Sequence, residues 1–176
     1  MLEPGTKLPS IALPATSGEL VDLAALPGRS LVAVYPWTGR PGLPNPPNWD
    51  DIQGAHGSTP ELEGFRDLFA EFERRGVRIF GLSGQTTDYQ SEMVTRLGLP
   101  FPILSDASGA FASALALPRF TTGDANYLKR LTLLIEAGSI AHVFFPVADP
   151  ARHAGEVLQW LAARDSSPLR GEDGSL

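Results

Sequence analysis

Three short apolar runs constrain this chain more than any other feature: SLVAVYP (30–36), VRIFGLS (77–83) and FPILSD (101–106). SLVAVYP is a continuous apolar run ending in proline, as a strand buried on both faces is, and the other two read as further strands. The segments between them have the other period. Leu62, Phe65, Phe69 and Phe72 recur at helical spacing and Gly76 closes the run, while residues 88–98 form a second helical segment ended by Gly98 and Pro100. Strand and helix in strict alternation imply a parallel core sheet with helices packed on both faces.

The flanks add to this core. Residues 10–26 read as a hairpin turning at Ser17-Gly18, with Ile11, Leu13, Leu20 and Leu23 on its apolar faces. Residues 109–117 form a short helix. Residues 127–146 read as two antiparallel strands around Ala137-Gly138, and 149–165 as a last helix with Val157, Trp160 and Leu161 turned inward. The expected class is α/β: a thioredoxin-like fold with an N-terminal β-hairpin and a central mixed sheet flanked by helices. One domain spans 1–165, followed by a flexible tail over 166–176.

Composition narrows the function. A formal charge of −6 disfavours a nucleic-acid partner, which requires clustered Lys and Arg. The most apolar stretch, 131–146, is broken by Glu136, Gly138 and His142, and is too short to span a bilayer. With no secretory leader pattern at the start, the expected compartment is the cytoplasm. His56, His142 and His153 lack metal-ligand spacing, so they read as surface or structural, and neither metal nor organic cofactor is implied. The 176 residues include no cysteine.

The stretch GAHGSTPELEGFRD (54–67) stands out, because a Gly-rich turn runs directly into the first long helix. Ser58-Thr59-Pro60-Glu61 matches a capping box, with proline in the first turn where its missing N–H does no harm. Upstream lies a long loop, 37–57, whose prolines at 41, 44, 46 and 47 forbid helix or central strand. It reads either as a lid over a pocket or as a merely stiffened connection. A serine hydrolase is a competing reading, since Gly81-Leu82-Ser83-Gly84 follows a strand. The nucleophile elbow is G-x-S-x-G, however, and Gln85 breaks it.

Taken together, VAVYP, GSTPELEGFRD, FGLSGQ, YQSE, LPFPILSD and LKRLTLLIEAGSI, in that order, resemble a peroxiredoxin of the Q-type branch that includes the bacterioferritin comigratory proteins. The resemblance covers about residues 5–162 and implies a thiol peroxidase. Ser58 falls where that family carries its peroxidatic cysteine. Arg130 in LKRLT matches the family arginine that reaches the site, Glu61 matches the residue that positions it, and Pro36 resembles the proline that shields the pocket. The family's threonine and proline upstream of the cysteine are Ala55 and Asp51 here. Glu63 stands where many members keep a resolving cysteine.

The implied substrate is hydrogen peroxide or an organic hydroperoxide, and the implied donor a thioredoxin-like or low-molecular-weight thiol. A monomer is compatible with this reading. Such chemistry needs a thiolate, whose ordinary pKa of about 8.5 must fall. A helix N-terminus and a nearby guanidinium lower it. A serine hydroxyl is neither ionised near neutrality nor redox-active, so the Ser58 chain is expected to keep the fold but not the turnover. Two origins fit the serine: a cysteine silenced by replacement, or a naturally thiol-free sensor or binding module.

Overall fold

The computed structural model describes residues 2–167. Five strands form the central sheet in the order β5-β4-β3-β8-β9. β3 (Arg29–Val34) pairs in parallel with β4 (Val77–Ser83), and β4 with β5 (Ile103–Ser105). β8 (Leu131–Glu136) and β9 (Ser139–Phe144) add the antiparallel half. The expected mixed sheet is therefore present. Each crossover carries helices: α1 (Ser58–Asp67) with α2 (Phe69–Arg74), and α3 (Thr87–Leu97). Further on come α4 (Ala110–Leu115) and α5 (Pro150–Asp165).

The pleat sends alternate residues of β3 to opposite cores. Leu31, Ala33 and Tyr35 pack with Leu62, Phe65 and Phe72 of α1–α2, Met93 of α3, and Val157 and Leu161 of α5. Val32 and Val34 face the other way, toward Leu13, Leu23 and α4's Phe111 and Leu115. At position 81 in β4 a Cβ would stand 2.4 Å from Ile103 Cδ1, so any larger residue there would require Ile103 to shift.

Three expectations change. The helix expected to run unbroken from Ser58 to Gly76 is interrupted at Leu68 (φ −103°, ψ 8°), and nothing in the neighbouring residues explains the break. The N-terminal hairpin forms as β1 (Ala12–Pro14) and β2 (Leu20–Asp22), but Leu20 is 70% exposed. Only alternate residues of that strand face the core, and Val21 takes the inward position. Residues 119–128 form a further hairpin, β6 (Arg119–Thr122) with β7 (Ala125–Leu128), that sequence reading missed. From residue 168 onward, the expected tail lies outside the described residues. No helix among them is long and apolar enough to cross a membrane.

Candidate active site

α1 begins under tight constraint. Gly57 holds φ 113°, a left-handed conformation that disfavours side chains, and a Cβ there would meet Pro150 Cγ at 2.9 Å. Gly57, not Ser58, is the N-cap, and its carbonyl accepts from the Glu61 amide at 3.1 Å. The expected capping box therefore does not form. Ser58 is already helical, one residue too far inside to cap, and its hydroxyl bonds no backbone amide. Glu61 does not reach back to the cap. Its side chain points inward, 1% exposed.

Glu61's partner is Arg130, on the two-residue link between β7 and β8 and 3% exposed. Nη1 donates to Glu61 Oε1 at 3.1 Å; Nη2 donates to the carbonyls of Ala55 at 3.0 Å and His56 at 3.4 Å. The guanidinium thus grips the chain two and three residues before Ser58 and one helical turn after it. That leaves three buried polar atoms with no protein partner: Ser58 Oγ, Glu61 Oε2 and Arg130 Nε. Buried polar groups normally have partners, so three orphans on residues joined by the Arg130 contacts or lying next to them in the chain stand out.

The electrostatics follow from burial. Loss of hydration raises the Glu61 carboxyl to about 7, and the attraction of Arg130 only partly opposes this. His153 of α5 lies in the same interior, where its Nε2 is 2.8 Å from Thr132 Oγ1. Burial first, and the charge of Arg130 second, hold it down to about 4, so it is neutral at pH 7. His153 is therefore structural, as expected, but buried rather than on the surface.

The remaining candidates separate. Pro36 is buried at the end of β3 and lines a cleft of about 250 Å³ with Gly84, Gln85, Asp106 and Tyr127. The cleft that Arg130 lines is a different one, and Pro36 is not part of it. Glu63 points outward and lies 3.6 Å from Arg66. Ser83 is fully buried and its hydroxyl accepts from Gln90 Nε2 at 3.0 Å, so the hydrolase reading fails for want of an accessible nucleophile.

The Pro-rich loop is tethered near both ends. Thr38 bonds Gln85 at 3.2 Å, Arg96 donates to the Gly39 carbonyl at 3.0 Å, and Arg40 stacks 4.1 Å over the Tyr89 ring. Trp49 is buried against Tyr127 at 5.1 Å and Phe120 at 5.7 Å, both on the overlooked hairpin. The loop's last residues supply the Ala55 and His56 carbonyls that bind Arg130.

The profile of the redoxin family matches residues 3–158. The chain belongs to the redoxin family. It is 25% identical over 162 residues to the putative peroxiredoxin bcp of Coxiella burnetii, covering 89% of this chain and 97% of that one. It is 28% identical over 165 residues to the peroxiredoxin Bcp of Escherichia coli, covering 91% and 96%. The crystal structure of a cysteine-to-serine mutant of Xylella fastidiosa PrxQ superposes with a TM-score of 0.77 at 21% identity, covering 94% and 99% of the two chains. Within the redoxins this is a Q-type peroxiredoxin, from a group of thiol-dependent peroxidases that act on peroxides with thioredoxin-type reductants. The absence of any cysteine fits an inactive form.

Proposed function

We propose that Ser58, Arg130 and Glu61 form a hydroperoxide site whose nucleophile position is held by serine, with Pro36 supporting the end of β3. The observation that carries this reading is the grip of the buried Arg130 on Ala55, His56 and Glu61, residues that flank Ser58 in the chain, whose buried hydroxyl has no partner. With sulfur at position 58, the first-turn amides of α1 and the guanidinium would favour thiolate over thiol. The thiolate attacks one peroxide oxygen: an S–O bond forms, the O–O bond breaks, and the departing oxygen takes a proton to leave as water or an alcohol. A donor thiol then attacks the sulfenic sulfur, forming a disulfide and releasing water. Arg130 stabilises the charge that develops on the departing oxygen, and Glu61 positions Arg130.

No second thiol is present, so the restored enzyme would be a one-cysteine peroxidase drawing on an external donor. A thioredoxin-like protein or a small thiol in a reducing compartment such as the cytoplasm fits that need. As it stands, the chain is a peroxiredoxin scaffold that binds without turning over, which also suits a sensor or binding module. The test is Ser58→Cys. It should gain a thiol that titrates well below about 8.5, and consume hydrogen peroxide when dithiothreitol is supplied. A thiol that titrates like free cysteine and leaves peroxide untouched would refute the assignment.

A further inference from the structure

A second cleft, of about 580 Å³, opens beside Arg130. Its walls are apolar: Phe120 of β6, then Phe145, Pro146 and Pro150 between β9 and α5. Phe145 is 48% exposed, a large apolar surface left to solvent. The polar residues at the cleft are unusual for a chain of net charge −6. His56, Lys129 and Arg130 line it, and no Asp or Glu does.

These three basic groups are not equivalent. Arg130 is engaged by Glu61 at 3.1 Å and by the Ala55 and His56 carbonyls, and its Nε is buried. His56 stands 3.2 Å from Asp50. Lys129 is exposed, and among the described residues its ammonium has neither hydrogen bond nor ion pair; only its backbone N–H is engaged, with the Pro118 carbonyl. The cleft therefore offers one uncompensated positive charge at its mouth and an aromatic wall beside it. A dianion would exceed that charge, and a neutral apolar molecule would leave it unused. A monoanion with an aliphatic tail satisfies both.

We propose that this cleft binds an aliphatic monocarboxylate, with the carboxylate on Lys129 Nζ and the chain against Phe120 and Phe145. The site needs no thiol, so it belongs to the Ser58 chain as it exists; it borders the proposed peroxide site at Arg130 but does not depend on that reading.

Calorimetric titration of the unaltered chain with decanoate and with 1-decanol tests it. Decanoate should bind about tenfold more tightly than the alcohol, the margin of one charge-assisted contact. Lys129→Glu should abolish that preference and leave decanol binding unchanged, and Lys129→Met should reduce decanoate to the level of the alcohol. Phe145→Ser should weaken both ligands. All three substitutions fall on exposed positions, so unchanged melting curves would show that the fold is intact. The proposal is overturned if decanoate does not bind, if decanol binds equally well, or if Lys129→Glu leaves decanoate affinity unaltered. Decanoate binding that Phe145→Ser does not weaken would place the ligand elsewhere and count against it too. Peroxide turnover by Ser58→Cys tests the earlier reading alone. Decanoate binding by a chain whose Ser58→Cys form is inert would uphold this inference and sink that one.

Discussion

Replacing Ser58 with alanine should make this protein more stable, although serine at a helix start normally stabilises. The hydroxyl is buried, at 3% residue exposure, and has no partner within the protein. Burying such a group unpaired costs about 1–3 kcal/mol, which alanine would recover. Against this stands the void left by one oxygen, a few tenths of a kcal/mol at about 24 cal/mol per Å³. Alanine's better helix propensity adds a few tenths on the favourable side. The net expectation is a gain of about 1 kcal/mol, which for a chain of this size raises the melting temperature by about 2–4 °C. Urea and thermal unfolding measured side by side would read it. A capping serine gives the opposite sign, since its loss costs about 0.5–2 kcal/mol. A drop in stability of that order would mean that the hydroxyl holds a bond, and the case for a site built around an unsatisfied Ser58 would fall with it.

Two further outcomes follow from the interior. Glu61 is raised from 4.5 to about 7, so in that window the folded chain keeps a proton the unfolded chain has released, and stability falls as pH rises. His153 is lowered from 6.5 to about 4, so the unfolded chain takes up a proton that the folded one refuses, and stability falls as pH drops. The two slopes oppose each other where the windows overlap. Glu61→Gln should therefore expose stability that climbs with pH, and His153→Gln stability that declines with it. Urea midpoints measured across this range check both, and parallel profiles for the two variants would contradict the assignment. For Trp49→Ala, amide hydrogen exchange should quicken across residues 45–55 while β3 and β4 keep their protection, because Trp49 anchors a loop onto a peripheral hairpin. The global cost should stay below the roughly 3–5 kcal/mol of a core aromatic truncation; uniform acceleration through the sheet would show instead that Trp49 supports the whole fold.

Much of the architecture was legible in the sequence, because β3, β4 and β5 are buried along most of their length and their sequences are mostly apolar as a result. α3 and α5 were equally readable from their period and from the flanking residues that stop or start them. The β6–β7 hairpin was not. Its strands are four residues each, mostly exposed, and lack the alternation that marks a half-buried strand. The turn at Thr122-Gly123-Asp124 was the available signal. Trp49 could not be placed either, because the ring that buries it comes from residues some seventy positions later. Within the site, the motif resemblance singled out Ser58, Glu61 and Arg130, and Glu61 and Arg130 are in direct contact. What sequence could not show was that the chain turns one residue earlier than the capping pattern suggests. The carbonyls of Ala55 and His56 were likewise invisible, since backbone oxygens leave no trace in residue identity.

The tethering of the 37–57 excursion has a practical corollary. Its contacts cluster at Thr38 to Arg40 and from Pro47 onward, which leaves residues 41–45 as an exposed crest, with Leu43 56% exposed. Foreign sequence spliced into that crest, such as an epitope or a fluorophore handle, would be flanked by fastened chain on both sides. The groups gathered around Arg130 would be insulated from the graft.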